Sequence, residues 1–282
     1  MITTLKKRVG EMRRSGHDAR LQDRLSQVDG FLVSYPKSGR TWLRYLLSIY
    51  FARRAELAFE PDLHSTFRVL PNFDLDKQRG LPAYDSGSMG PLPLVAVSHR
   101  DYDAKLFGSV PVIVLLRDPR DVLVSSYFHQ TRHKHRFDGS IGAFLDSPEF
   151  GAQSIADYHN RWASGLEDRR SLAISYEDMS ADTESVVTRV LDFLGVPVDE
   201  QVLRDAVEKA RFESMQKKER KTGIPGHEYD RKDADASRVR RGKVAGYEDY
   251  LSAAEGEYIR QVFAERLTEA AKQLYRPTGF LT

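Results

Sequence analysis

Short continuous apolar runs alternate along this chain with longer stretches in which apolar residues recur every three or four positions. The runs are Phe31-Leu32-Val33, Leu92 to Ser98, Val110 to Leu116 and Leu172 to Ser175. Each reads as a short buried strand. Val110 to Leu116 is continuous and β-branched, as a central parallel strand should be. After the first run, Leu43, Leu46, Leu47 and Tyr50 fall at helical spacing and predict a helix from about Thr41 to Arg53. Ile141 to Leu145, Ile155 to Leu166, Thr183 to Leu194 and Glu200 to Ala210 predict further helices, with Trp162 in the core. Ile259, Val262, Phe263, Leu267 and Leu274 form one stripe, which predicts a last helix from about Ala254 to Tyr275. Strands alternating with helices indicate an α/β chain, doubly wound, with a largely parallel sheet flanked by helices.

Three stretches break this rhythm. Residues 1–30 are polar and basic, with Lys6, Lys7, Arg8, Arg13 and Arg14 among few apolar residues, and read as a solvated helix or a frayed lead-in. Residues 31–282 then form a single domain. Ala55 to Gly90 carries Pro, Gly, Asp and scattered aromatics without a sustained period, the composition of a long loop. Gln216 to Arg238 mixes both charges densely with Gly223, Pro225 and Gly226, and reads as a mobile loop that could close a site.

Composition narrows the classes. With 282 residues and 40% hydrophobic content, the chain can bury one substantial core. A formal charge of +2 argues for neither a nucleic-acid nor a membrane surface. The absence of cysteine excludes disulfides, thiolate zinc sites and a cysteine nucleophile, and fits a reducing compartment. No apolar run reaches the length of a membrane span, and the first residues lack a signal-peptide core, so the expected location is the cytoplasm.

The loop after the first strand carries chemistry. Tyr35-Pro36 closes the strand, and Lys37-Ser38-Gly39-Arg40-Thr41 leads directly into a helix. Such a junction turns free backbone N–H groups toward one point, where the helix dipole favours negative charge. Gly39 permits close approach of an anion, Lys37 adds a point charge, and Ser38 and Thr41 add hydroxyl donors. The stretch reads as a phosphate cradle but not as a Walker A loop, because the lysine precedes the glycine. The third run delivers Arg117, and Ser125 follows on the next helix; an arginine fork and a hydroxyl can hold one dianionic phosphate. Asp118 and Asp121 could equally cap that helix, predicted to begin near Val122.

These motifs resemble those of the PAPS-dependent sulfotransferases of cytosolic type. The order Tyr35-Pro36-Lys37-Ser38-Gly39, then Thr41-Trp42, is similar to the family's 5′-phosphosulfate loop, and the stretch from Arg117 to His129 is similar to its 3′-phosphate motif. The resemblance implies a fold similar to P-loop nucleotide-binding proteins. It implies that His99, ending Val97-Ser98-His99, is the catalytic base, although the family's lysine is Val97 here. Tyr176 of Tyr176-Glu177-Asp178-Met179 takes the adenine-contacting role, and Phe212 and Met215 line the adenine; the family's hydroxyl two positions earlier is Ala210. Arg240-Arg241-Gly242 resembles the clamp on the 3′-phosphate, with Arg238 and Tyr247 departing from the family's phenylalanine and tryptophan.

The activity implied is transfer of a sulfuryl group from PAPS to an acceptor hydroxyl or amine on a small molecule or glycan, leaving PAP. Lys37 neutralises the leaving phosphate and His99 takes the acceptor proton. No metal-ligating cluster is visible in the sequence, and the reaction requires none. A P-loop kinase and a PAP-binding module without catalysis are the alternatives. The acceptor and the oligomeric state leave no readable motif.

Overall fold

The computed structural model describes residues 15–222 and 242–281. Four strands, β1 (Gly30–Val33), β2 (Val95–Ser98), β3 (Val112–Leu116) and β4 (Ser171–Ser175), form a sheet in the order β2-β1-β3-β4 with every neighbouring pair parallel. Successive residues of a strand face opposite sides, and here both sides are buried. Phe31, Val33, Val112, Val114 and Leu116 enter one core, while Leu32, Ile113, Leu115 and Ile174 enter the other. That is why these runs are apolar throughout instead of alternating.

Helices cover both faces. α1 (residues 15–22) precedes β1, and α2 (Arg40–Arg54) follows it. α3 (Ala104–Phe107) and α4 (Pro119–Phe128) flank β3, then α5 (Ile141–Leu145) and α6 (Ala152–Leu166) lead to β4, and α7 (Tyr176–Ala181) leaves it. α8 (Thr183–Phe193), α9 (Glu200–Lys209), α10 (Phe212–Thr222), α11 (Ala253–Arg266) and α12 (Glu269–Tyr275) follow. α2, α8 and α9 pack on the face of Leu32 and Ile113; α6, α11 and α12 pack on the face of Phe31 and Val112, with Trp162 fully buried. Leaving β1, the chain runs to β2 on one side and then crosses to β3 on the other. A crevice therefore opens at the carboxyl ends of the strands, where ligands bind in open parallel sheets.

Several boundaries differ from those expected. α4 starts at Pro119, three residues earlier than Val122, because Asp118 accepts the N–H of Arg120 at 2.9 Å and Pro119 is preorganised for a first helical position. The stripe from Ala254 to Tyr275 is two helices: Leu267 is extended, and the Thr268 side chain caps α12. Gln216 to Thr222 is the second half of α10 and not loop, held by buried Met215 and Glu219 and by a Lys218 hydrogen bond to the Tyr45 hydroxyl. The remainder of the expected lid, 223–241, lies outside the described residues, as do residues 1–14 of the lead-in. Within 55–90 the chain makes short 3-10 turns. Residues 71–73 pair with the outer edge of β2, where Phe73 N–H donates to Val97 O and Val97 N–H to Pro71 O, both at 2.9 Å. Among the described residues no helix is long and apolar enough to cross a membrane.

The described part of the N-terminal lead-in is anchored. Leu21 of α1 is fully buried against the Phe31 core, and Asp18 bonds Arg100, beside His99, at 2.8 Å. Leu21→Ala should lower unfolding free energy by about 2–5 kcal/mol, the usual range for a buried leucine. Urea titration checks it; a loss under about 0.5 kcal/mol would mean that α1 only rests on the surface.

Candidate active site

Four strand ends supply the site. At the end of β1, Lys37 (φ 76°) and Gly39 (φ 95°) take left-handed backbone conformations, which fold the loop tightly before α2. Gly39 O accepts the N–H groups of Trp42 at 2.9 Å and Leu43 at 3.4 Å, while the first N–H groups of α2 have no intrahelical acceptor. A Cβ at Gly39 would stand 2.4 Å from the Tyr176 ring, so glycine is required by contact as well as by φ. Ser38 is an exception to the expected set. It is 1% exposed and does not line the cleft, so its side chain belongs to the packing under the loop.

β2 delivers His99. Its Nδ1 lies 2.6 Å from the Ser34 carbonyl oxygen. A carbonyl can only accept, so Nδ1 carries the proton and the lone pair of the neutral ring is on Nε2. Val97, which stands where the resembling family has lysine, is 1% exposed inside the Leu32 core. The cations lining the cleft are instead Lys37, Arg40, Arg117, Arg211 and Lys243.

β3 and β4 end side by side. The Arg117 guanidinium lies 4.1 Å from the Tyr176 ring centroid, close enough for a cation–π contact. It donates to Asp121 Oδ2 at 3.2 Å, to Lys243 O at 3.1 Å and to Lys37 O at 3.4 Å, while its Nε is buried without a partner. Asp121 also accepts the Tyr247 N–H at 2.9 Å, which ties the segment after residue 241 to the corner. Burial pushes the Asp121 carboxyl up, opposed by the Arg117 charge. Glu177 accepts the Asp118 N–H on Oε1 at 2.9 Å; burial pushes its carboxyl up to about 7. Burial also raises the Tyr176 phenol.

Together these groups enclose a cleft of about 340 Å³. Lys37, Gly39, Arg40, Thr41, Trp42, His99, Arg117, Ser125, Tyr176, Phe212, Met215 and Gly242 all line it. Trp42 meets Tyr176 edge-on with ring centroids 5.5 Å apart. Gly242 (φ 61°) sits against Phe212, whose ring would be 2.1 Å from a Cβ there. Arg240 and Arg241 lie outside the described residues. Ala210 is fully buried and does not reach the cleft. Sequence reasoning missed the lining by Ser180, Thr183, Arg211, Glu213, Lys243 and Gly246, and assigned Asp121 only a capping role. Asp121 had a signal, one helical turn beyond Arg117. The others owe their position to long-range packing.

Comparison with known proteins agrees with this geometry. The model of the sulfotransferase domain family matches residues 27–271. Sulfotransferase 2A1 of Macaca fascicularis is 24% identical over 268 residues, covering 89% of this chain and 88% of its own. An amine sulfotransferase of Oryctolagus cuniculus is 25% identical over 254 residues, covering 86% and 81%. The fold is shared with mouse sulfotransferase SULT7A1 complexed with PAP, at a TM-score of 0.62 and 21% identity over 93% of this chain and 94% of that one. These matches do not favour the kinase alternative. The chain belongs to the sulfotransferase domain family, as a PAPS-dependent sulfotransferase of cytosolic type.

Proposed function

We propose that this cleft carries sulfuryl transfer from PAPS to a hydroxyl or amine of a small molecule, with His99 as base and Lys37 as the cation at the leaving phosphate. A single observation carries the assignment: the Nδ1–Ser34 bond fixes His99 with its lone pair on Nε2, in the same cleft as Lys37 and Arg117. The residues present fit the nucleotide. The cations Lys37, Arg40, Arg117, Arg211 and Lys243 line the cleft, and the buried Arg117 Nε is a donor that a phosphate oxygen can answer. Lys37, Arg40, Thr41 and the first N–H groups of α2 would hold the 5′ end. Arg117 and Ser125 would hold the 3′-phosphate, and the resemblance adds Arg240 and Arg241 to them. Trp42, Tyr176, Phe212 and Met215 supply the apolar surface for adenine, with the Ser180 and Thr183 hydroxyls at its edge.

PAPS, when bound, supplies the sulfuryl group. The protein aligns the acceptor and stabilises charge. His99 removes the acceptor proton on Nε2 while Ser34 O steadies the imidazolium through Nδ1–H. Lys37 faces the charge that develops on the departing phosphate. One relative is named an amine sulfotransferase, and a hydroxyl or an amine can each give its proton to this imidazole. A glycan acceptor would use the same base.

His99→Ala should lower kcat by roughly two to four orders of magnitude while PAP affinity changes little. Turnover of a phenol, steroid, amine and sugar panel by mass shift, with calorimetric PAP titration, checks both halves; near-wild-type turnover would remove His99 from the mechanism. Lys37→Ala should weaken PAP and adenosine 5′-monophosphate (AMP) alike, by about ten- to a hundredfold, because it faces the end they share. Selective weakening of PAP would place Lys37 at the other phosphate.

A further inference from the structure

Glu177 lies beneath the corner formed by β3 and α4. Its Oε1 accepts the N–H of Asp118, the peptide group immediately after Arg117, at 2.9 Å. Its Oε2 is buried with no partner. The charged and titratable groups facing it are Arg117 and Asp118 from the corner, Tyr176 from its own helix and Tyr275 from α12. Asp118 is closed in an ion pair with Arg120 at 2.6 Å, and Arg117 is shared with Asp121 at 3.2 Å. Burial therefore outweighs the help Arg117 gives, and the carboxyl of the free protein sits at about 7.

A phosphate bound by Arg117 alters this balance twice in the same direction. It engages the cation that offsets the Glu177 carboxylate, and it adds negative charge close to a buried carboxylate in a poorly screened place. Both favour the neutral carboxyl. A neutral carboxyl keeps its carbonyl oxygen for Asp118 N–H, so the corner that aims Arg117 is preserved. The added proton goes from solvent to Oε2, the oxygen that lacks a partner.

We propose that Glu177 is the positioning residue of the phosphate-binding corner and takes up a proton when the 3′-phosphate of the nucleotide enters the cleft. The inference rests on assigning that phosphate to Arg117. It makes donor binding and PAP release pH-dependent through a group that touches neither the acceptor nor the transferred sulfuryl.

The test is calorimetric titration of the full chain with PAP near pH 7.5, in buffers of different ionisation enthalpy. Wild type should take up roughly half a proton more per PAP than Glu177→Gln, which keeps the acceptor oxygen but cannot titrate. AMP, lacking the 3′-phosphate, should show no such excess. Toward pH 5.5 the excess should vanish, because the carboxyl is then already protonated in the free protein. Glu177→Ala should weaken PAP about tenfold and Glu177→Gln should restore it, since only the alanine loses the acceptor for Asp118 N–H. Equal proton uptake in wild type and Glu177→Gln overturns the proposal. So does zero uptake or net release by the wild type alone at pH 7.5, whether or not the variants fold. Failure of PAP to bind at all would instead remove the phosphate assignment, and the inference with it.

Discussion

The Tyr176 ring is where the two corners proposed to bind the nucleotide's phosphates meet. Gly39 of the β1–α2 loop packs so closely against it that no side chain fits, and the Arg117 guanidinium lies over it at 4.1 Å. Each contact constrains the other. The ring stays seated while Gly39 remains left-handed, and Arg117 stays aimed while the ring is seated. A partly buried cation–π contact of this kind is worth about 2 kcal/mol or less. Its larger effect is geometric, because it joins the end of β1 to the ends of β3 and β4 through one rigid aromatic group. Registry between the corners matters because, in the proposed function, one nucleotide spans both.

Charge in the cleft follows the same economy. Arg117 is held by Asp121, by two backbone carbonyls and by the ring, yet keeps a buried N–H unanswered. Asp121 passes the constraint on to Tyr247, and Glu177 passes it to the peptide after Arg117. Burial raises both carboxyls, and with Glu177 pushed up to about 7 less negative charge opposes an incoming phosphate near neutral pH than a count of acids suggests. On the facing side, His99 is fixed by the Ser34 carbonyl, a backbone atom next to the cradle. The proposed base at the end of β2 is thus bonded to the end of the neighbouring β1, from which the proposed phosphate loop leaves, so two adjacent short strands bring the two groups together.

Much of this was legible in the residues. Runs without polar interruption marked the strands because the sheet is covered on both faces, and the order Lys37-Ser38-Gly39 marked the loop because backbone geometry there is local. Of the fourteen binding positions named from the sequence, eleven line the cleft beside His99, because strand ends converge in any parallel α/β sheet; Ser38 is packed beneath the loop, and Arg240 and Arg241 lie outside the described residues. What was misread was mainly breaks and charged helices. Thr268 before Glu269 is a capping signal that the apolar stripe concealed, and Gln216 to Thr222 is rich in helix formers despite its charge. Thr183, Lys243 and the carboxyl of Glu177 gave no local sign, because their roles depend on partners far away in the chain.

The central claim is that Arg117 faces a phosphate that ordinary adenine nucleotides lack. Calorimetric titration of PAP and AMP into wild-type protein and Arg117→Ala tests it most directly. A charge-assisted hydrogen bond to phosphate is worth roughly 1.5–3 kcal/mol, so two such bonds make PAP at least about a hundredfold tighter than AMP in the wild type. Arg117→Ala should erase most of that difference by weakening PAP while leaving AMP almost unchanged. Equal weakening of the two ligands would contradict the account, and would make Arg117 a structural support for Tyr176 alone.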